Sequence, residues 1–369
     1  MNAFFRNHVL TIGATPNEFH LKNMLDIFGR RDASERFALF EKPLADTVEN
    51  AWEIALLEQK FPGRIGIVSQ NHLWDMVLEL RHRILNGDIG DIFEGEFVYE
   101  QDWLNWKQGA NWRVYRGESD AVCDGGIGKL NDILIHAIST LRFVTGMKIK
   151  AVETAKVHEI ITERGDGGGT FAKAEQGTVQ GVVKVGGSTA FHGDDAMEAI
   201  VTLENGARIR VRIAQSVPGE KNSFHFRLSG RKGDEGKSVS FDTDNADVLT
   251  TSDLSNRRVI EVRDPGVLAY VDDVADWIRE GLCMNNPPVR FFTPPRHGQG
   301  WREIHRRQLM AFALYCQRVW HGLQDVDTRK DLFFVPTALE SFYDLKAIKA
   351  MYEAAASGKR TEIEYPLAA

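Results

Sequence analysis

The fold of the first part of the chain is decided by three short apolar runs, HVLTIG (8–13), FALF (37–40) and IGIV (65–68). Each run is followed by polar or turn-forming residues, which is typical of a buried strand. Between and after these runs, apolar residues recur at helical spacing, over residues 18–29, 47–60 and 73–85. Because strands and helices alternate, the pattern predicts a parallel sheet with helices packed on its faces.

The pattern changes after about residue 92. A strand is predicted over 93–99 and a helix over 127–145, and strands dominate from 148 to 261. The pair Asn205-Gly206 between two alternating runs is a strong hairpin signal. Helical spacing returns over residues 269–281, 300–322 and 336–358. We therefore expect an α+β part with a large mixed or antiparallel sheet.

Composition restricts the classes of function. The 369 residues are 43% apolar and 26% charged, which is ordinary for a globular protein, and the net charge of -7 disfavours binding to a phosphate backbone. The longest apolar run, 309–316, is far shorter than the roughly 20 residues that span a bilayer. Residues 1–16 lack the sustained apolar segment of a secretory signal. The scattered cysteines are Cys123, Cys283 and Cys316. We expect a cytoplasmic protein with no nucleic-acid or membrane partner.

Asp132 and His136 are four residues apart on the helix predicted over 127–145, so both lie on one face. A carboxylate beside an imidazole can set the histidine tautomer and raise its basicity, as a general base requires. The same spacing could hold a metal ion, although no HxH or HExxH motif accompanies it. Taken alone, such a pair is more often structural than catalytic.

Two polar motifs follow predicted strands. Glu41-Lys42-Pro43 ends the second apolar run, and Thr15-Pro16-Asn17 follows the first. The carboxyl ends of parallel strands line the ligand crevice of α/β sheets. A lysine there can donate to a substrate oxygen, and Thr15 and Asn17 can bind a ribose or an amide. The simpler interpretations are a solvated lysine and an ordinary turn.

An aromatic segment precedes the helix that carries Asp132. Its tryptophans and interleaved polar groups suit the apolar faces and hydroxyl edges of sugar rings. These residues are Trp103, Trp106, Lys107, Asn111, Trp112 and Arg113. Each tryptophan could equally serve core or interface packing.

The order and spacing of five segments resemble the Gfo/Idh/MocA family, the glucose–fructose oxidoreductase and inositol dehydrogenase-like enzymes that use NAD(P). The segments are ATPNEFH (14–20), LFEKPLADTVENA (39–51), NGDIGDIFEGEFVYEQDW (86–103), the stretch 111–146 and the terminal stretch 336–364. The segments YEQDWL (99–104) and AQSVPGEKNSFHFRLSGRKG (214–233) look closest to a branch that acts on sugars or anhydrosugars.

This resemblance implies roles for individual residues. Lys42, Asp132 and His136 match the catalytic positions of the family: His136 takes a proton from a sugar hydroxyl, Lys42 holds the substrate oxygen, and Asp132 orients His136 or binds a hydroxyl. The residues expected to bind the cofactor, NAD or NADP, are Thr15, Pro16, Asn17, Glu41 and Lys42. The residues expected to bind substrate are Trp103, Trp112, Arg113 and Asn71, the last in a QNH segment where relatives often carry an aromatic residue and an arginine.

The sequence departs from the family pattern at its beginning. Relatives place a strand, a GxGxxG turn and a helix before ATPN, whereas ATPN here begins at residue 14 and no GxGxxG follows a strand anywhere. We therefore expect the first βαβ part of the dinucleotide fold, which cradles the pyrophosphate, to be missing. Leu134 stands where the family usually has a glycine, and a bulky side chain there is expected to narrow the site.

The fold class expected is α/β plus α+β: a truncated Rossmann-like parallel sheet followed by a Gfo/Idh/MocA-type domain. Residues 1–91 are predicted to be a partial NAD(P)-binding domain, 92–335 a substrate and oligomerisation domain, and 336–369 a helix and tail that pack back on the first domain. The family commonly pairs subunits through the large sheet, so a homo-oligomer is expected. The function expected is hydride transfer between a nicotinamide cofactor and a sugar, anhydrosugar or polyol hydroxyl. The alternative is a non-catalytic sugar-binding or scaffold protein that has lost the dinucleotide site.

Overall fold

A computed structural model describes most of the chain, namely residues 9–102, 130–165, 188–190, 193–255, 257–261, 300–320 and 335–366. Some predicted features lie outside these residues: the aromatic segment with Trp103, Trp112 and Arg113, and the helix predicted over 269–281.

The first part of the chain forms a parallel sheet of three strands in sequence order. These strands are β1 (Val9–Gly13), β2 (Arg36–Phe40) and β3 (Ile65–Ile67). Gly13 lies opposite Phe40, and Phe40 lies opposite Ile67, so the three strands end at one edge. The parallel sheet predicted from the alternating pattern is confirmed.

Helices α1 (His20–Phe28) and α2 (Val48–Lys60) connect these strands. The hydroxyl of Thr47 accepts a hydrogen bond from the Asn50 N–H at 3.1 Å and so forms the N-cap of α2. The predicted start of α1 is two residues early, because Asn17–Phe19 forms a 3-10 turn that leads into the helix.

The second sheet has nine strands. These are β4 (Asp91–Glu100), β5 (Ile149–His158), β8 (Ala196–Leu203), β9 (Arg208–Ala214), β10 (Ser223–Lys232), β11 (Glu235–Asp242), β12 (Val248–Asp253), β13 (Arg257–Glu261) and β14 (Thr361–Glu362). Their order is β13-β12-β11-β10-β4-β9-β8-β5-β14. A separate antiparallel pair consists of β6 (Glu163–Gly165) and β7 (Ser188–Ala190).

The large sheet is mixed, as predicted. Strands β4 and β9 run parallel, and the other neighbours run antiparallel. The predicted hairpin joins β8 and β9, and Gly206 adopts a φ of 89°, which favours glycine. On the face turned away from the helices, Arg210 pairs with Glu96, and Arg212 pairs with Glu100 and Glu198.

Four more helices complete the described architecture: α3 (Asp75–Leu85), α4 (Asn131–Thr145), α5 (Trp301–Trp320) and α6 (Ala338–Ser357). Every residue of α4 except Asp132 is buried, between α3, α6 and β4. Helix α6 contacts α2 beside the small sheet and also α4 and β5, so it joins the two sheets. The division into domains stays a prediction. Within the described ranges, no helix is long and apolar enough to cross a membrane.

Candidate active site

The ends of the three parallel strands bring the predicted polar loops together. The Glu41 N–H donates to the Gly13 carbonyl at 2.8 Å, and the Val68 N–H donates to the Phe40 carbonyl at 2.8 Å. The turn that follows β1, the turn that contains Lys42 and the turn that follows β3 are therefore adjacent. This is the carboxyl edge at which open α/β sheets bind ligands.

Lys42 crosses from this edge to helix α4. Its Nζ donates to Asp132 Oδ1 at 2.8 Å and to the Asp132 carbonyl oxygen at 2.7 Å. The side chains of Lys42 and Asp132 are each 14% exposed, so the pair is mostly shielded from water without being sealed off. The ion pair thus brings together two of the three predicted catalytic residues, although 90 residues separate them in the sequence.

His136 lies one helical turn beyond Asp132 and is 6% exposed. Burial lowers the pKa of its imidazole well below the usual value, because burial disfavours the charged form. The positive charge of Lys42 lowers this pKa further, and the carboxylate of Asp132 opposes both effects. His136 is therefore neutral at physiological pH and has a nitrogen that can accept a proton.

Tyr99 on β4 forms the next part of the site. Its ring centroid is 5.9 Å from that of His136. Its hydroxyl donates to Asn222 Oδ1 at 2.8 Å, and the Gln101 amide donates to the same oxygen at 2.6 Å. Sequence reasoning missed Tyr99 and Asn222, although both lie in segments, YEQDWL and AQSVPGEKNSFHFRLSGRKG, that resemble the sugar-active branch.

The turn after β1 is tied to the turn after β2 by His20. The imidazole lies between the carbonyl oxygens of Thr15 and Leu44, at 2.8 and 3.1 Å. Asn17 also bridges the turns, because its Nδ2 donates to the Ala45 carbonyl at 3.3 Å. His20 was not predicted, since nothing in its spacing distinguishes it from a core residue.

Asn71 lies in the 3-10 turn Gln70–Leu73 that follows β3. Its side chain is only 1% exposed, and neither amide atom has a hydrogen-bond partner in the described part of the chain. A buried carboxamide without partners costs stability unless a ligand or water satisfies it. Asn71 therefore has the unsatisfied polar atoms that a ligand-binding residue would show.

A buried hydrogen-bonded group holds this turn against α4. His72 Nε2 lies 3.0 Å from the Ser139 hydroxyl, which lies 3.2 Å from the Ser69 hydroxyl. The His72 ring stacks on Phe143 with centroids 4.1 Å apart and planes within 4°. Because Ser139 is three residues from His136, this group fixes the face of α4 that carries the imidazole.

The carboxyl edge fits one end of a nicotinamide cofactor. Asn17 and Lys42 provide polar groups for a carboxamide and a ribose. The sequence contains no GxGxxG turn, the motif that would hold the pyrophosphate of such a cofactor.

Leu134 is fully buried in the apolar core. Among the described residues, no group of three or more His, Cys, Asp or Glu side chains could hold a metal ion.

Comparison with known proteins gives a family match over part of the chain. Residues 77–234 match the model of the GFO/IDH/MocA C-terminal domain. The comparison with curated proteins gives no significant match.

Solved structures share the fold over almost the whole chain. An oxidoreductase domain protein from Kribbella flavida is 21% identical, with a TM-score of 0.73 over 96% of this chain and 81% of that one. Levoglucosan dehydrogenase in complex with NADH and levoglucosan is 19% identical, with a TM-score of 0.68 over 97% and 81%. An inositol dehydrogenase homolog from Azotobacter vinelandii, complexed with NADH and myo-inositol, is 16% identical, with a TM-score of 0.68 over 96% and 77%.

The chain shares the fold of these solved structures, with a small parallel sheet and a large mixed sheet. Over residues 77–234 the chain matches the Gfo/Idh/MocA family, which is the family that its sequence segments predict.

Proposed function

We propose that this protein is an NAD(P)-dependent oxidoreductase that transfers a hydride between a nicotinamide cofactor and a hydroxyl-bearing carbon of a sugar, anhydrosugar or polyol. The observation that carries the proposal is the arrangement of Lys42, Asp132 and His136 at the carboxyl edge of the parallel sheet. This arrangement brings together an ammonium group fixed by hydrogen bonds, a carboxylate and a neutral imidazole at a position that is partly shielded from water. Alcohol oxidation needs these groups, because it removes a proton from oxygen as the hydride leaves carbon.

Each of the three side chains has a role in this proposal. His136 accepts the hydroxyl proton during oxidation, and its lowered pKa keeps it in the proton-accepting form. Lys42 donates to the substrate oxygen and stabilises the negative charge that develops there. Asp132 holds the ammonium of Lys42 in position through the 2.8 Å contact. In the reverse reaction, the protonated His136 returns the proton.

The cofactor supplies the hydride chemistry when it is bound. We propose that Thr15, Pro16, Asn17, Glu41 and Lys42 hold its nicotinamide end. The support is geometric, since these residues lie at the carboxyl edge of the sheet. Asn71, with its buried and unpaired amide, is proposed to bind substrate. The same role for Trp103, Trp112 and Arg113, and the choice between NAD and NADP, stay predictions.

The alternative is a non-catalytic sugar-binding or scaffold protein. The absence of GxGxxG from the sequence favours it, since pyrophosphate binding normally provides much of the affinity for a dinucleotide. The two functions differ in one measurable property. A dehydrogenase changes the absorbance of NADH or NADPH in the presence of substrate, whereas a binding protein does not.

The test is a cofactor-reduction assay of the purified chain with NAD and NADP against a panel of sugars, inositols and anhydrosugars. We expect turnover with at least one neutral polyol, and a loss of about a hundredfold or more in kcat for Lys42→Ala and His136→Ala. Lys349→Ala, which removes a surface ion pair with Glu49, is the matched control and should retain full activity. Equal activity of all three variants would overturn the assignment of the site.

A further inference from the structure

A row of polar side chains crosses the large sheet beside Tyr99. The strand register places Tyr99 between Ile213 of β9 and Phe224 of β10. Two positions further toward the carboxyl end of β4, the corresponding residues on the three strands are polar: Gln101, Gln215 and Asn222. Apolar side chains thus give way to polar ones where the sheet meets the beginning of α4.

Backbone hydrogen bonds continue the sheet into this row. The Gln101 N–H donates to the Ala214 carbonyl at 2.9 Å, and the Gln215 N–H donates to the Asp195 carbonyl at 2.9 Å. Gln215 therefore lies between Gln101 and Asp195 in the extension of the sheet. These hydrogen bonds fix the backbone on both sides of this segment, so the position of the Gln215 side chain is well defined.

The side chains of the row differ in their hydrogen bonds. Gln101 donates to Asn222, which also accepts from Tyr99. Gln215 is as buried as a core residue, at 1% exposure, yet neither Oε1 nor Nε2 has a partner in the described part of the chain. The hydroxyl of the next residue, Ser216, is also buried and unpartnered there.

An unpaired buried carboxamide is costly, because it has given up its hydrogen bonds to water without gaining others. Buried polar groups in folded proteins nearly always have partners, so Gln215 needs an explanation. A ligand with hydroxyl groups would satisfy it, because a hydroxyl can donate to Oε1 or accept from Nε2. The same applies to Ser216.

The position of Gln215 fits a ligand that is held at its other end by the catalytic residues. The Tyr99 ring is 5.9 Å from the His136 ring. Strand spacing places the Cα atom of Gln215 roughly 8 Å from that of Tyr99. This distance is comparable to the width of a six-carbon ring with its hydroxyl groups.

We propose that Gln215, together with Ser216, binds hydroxyls of the substrate remote from the reacting carbon and selects a neutral polyol. This inference rests on the proposed function. The two side chains are uncharged. The Gln215 N–H donates to the carbonyl of Asp195, which together with Asp194 forms a pair of buried acidic residues just before β8. Negative charges there disfavour a sugar acid or a sugar phosphate. The site therefore takes a neutral sugar, anhydrosugar or cyclic polyol.

The experiment compares Gln215→Met with a matched control, Gln317→Met. Gln317 on α5 is also buried with an unpaired Oε1, but it lies outside the polar row. Binding of levoglucosan and of myo-inositol to the full chain is measured by calorimetry or by saturation-transfer NMR, and thermal unfolding is followed in parallel. We expect at least one of the two to bind, Gln215→Met to weaken its binding about threefold to tenfold, and Gln317→Met to leave it unchanged. Because Gln215 has no side-chain partner among the residues that the structure describes, its replacement should leave Tm unchanged or raise it.

Three results would overturn the inference: no binding of either polyol by the unmodified chain, unchanged binding by Gln215→Met, or equal weakening by both variants. Unchanged binding with an altered Tm would assign Gln215 to a buried water instead. The proposed function fails separately. Polyol binding that depends on Gln215 without any hydride transfer would retain this inference and favour the non-catalytic alternative.

Discussion

At the scale of single residues, the charged side chain of Lys42 sets the electrostatics of the candidate site. Its ammonium group lies 2.8 Å from the Asp132 carboxylate, and both charges act on His136 with opposite signs. The pKa of His136 thus depends on which member of the pair is present. This gives a test that a purely structural ion pair would not pass.

Two substitutions should move the pKa of His136 in opposite directions. Lys42→Met removes a positive charge that lowers this pKa, so the acid limb of the pH–rate profile should shift to higher pH. Asp132→Asn removes a negative charge that raises it, so the acid limb should shift to lower pH. Residual kcat measured between about pH 5 and 8 gives the position of the acid limb in each variant. NMR titration of the imidazole gives the pKa of His136 without turnover.

If the proposed function is correct, the unmodified protein should show little loss of oxidation rate between about pH 8 and 6.5, the usual pKa of histidine, because His136 stays neutral below that value. A shift of the same sign in both variants would contradict the assignment, as would an acid limb near pH 6.5 in the unmodified protein.

The sequence singles out the residues of this candidate site but not their contacts. Asp132 and His136 share a helix face, which spacing reveals, and motif order singles out Lys42. The contact between Lys42 and Asp132 joins distant segments, so only the tertiary fold, which places the turn after β2 beside α4, creates it. Ser139 and Gln215 were missed for a related reason, since a buried unpaired amide or a serine bonded to a histidine has no signature in a single sequence.

At the scale of elements, acidic side chains lie around the first turn of α6. Thr337 and Glu340 form a capping box. Glu58 of α2 also reaches this helix end, where its Oε2 accepts from the Leu339 N–H at 3.2 Å. Burial raises the pKa of Glu58 to about 8, the Leu339 N–H lowers it, and the charge of Glu340 raises it. The protonated form of Glu58 is thus the stable one in the folded protein.

Glu58 should make the protein less stable as pH rises. Because the pKa of Glu58 is higher in the folded than in the unfolded protein, protonation of Glu58 stabilises the fold. This stabilisation is complete below about pH 4.5 and is lost as pH rises through about 8. Glu58→Gln should abolish this loss, which we expect to be on the order of 2 kcal/mol between pH 6 and pH 9. Urea unfolding at both pH values is the measurement. The exposed Glu53→Gln on the same helix is the control, and an equal pH dependence in both variants would refute the role of Glu58.

Arg142 fixes α4 against α6 through a buried ion pair. Its Nε and Nη2 donate to the two carboxylate oxygens of Asp344 at 2.7 and 3.0 Å. Arg142→Met leaves the buried Asp344 carboxylate without its guanidinium, so we expect a loss of about 3–5 kcal/mol in the free energy of unfolding. The exposed Arg360→Met, which breaks a surface pair with Glu153, should cost less than about 1 kcal/mol. A similar cost for both variants would contradict this account.

Elements were more predictable than their arrangement. The strands and helices of the first 85 residues and the Asn205-Gly206 hairpin follow from local periodicity and turn chemistry. The placement of β4 between β9 and β10 does not, because these strands are more than 100 residues away along the chain. Such pairings depend on which apolar faces meet, and a single sequence shows only that the faces exist.

At the scale of the whole molecule, the two sheets differ in the number of strands that the structure describes. The large sheet has nine strands, whereas the small sheet ends at β1, which has a neighbour on one side only within the described residues. Strand β1 carries no charged residue, and Val9, Leu10 and Ile12 are exposed, the last at 55%. An apolar edge strand without a charge or a proline is a template for pairing with another chain.

This edge predicts self-association of the purified chain. Ile12→Lys places a charge on the edge, so we expect less aggregation at a given concentration and a change in unfolding free energy within about 0.5 kcal/mol, because Ile12 is exposed. Sedimentation velocity over a range of concentrations measures the first effect. Leu254→Lys is the matched control, since Leu254 is 84% exposed but lies in the turn after β12 rather than on a strand edge. If both variants reduce association equally, general surface charge accounts for the effect and the edge of β1 does not.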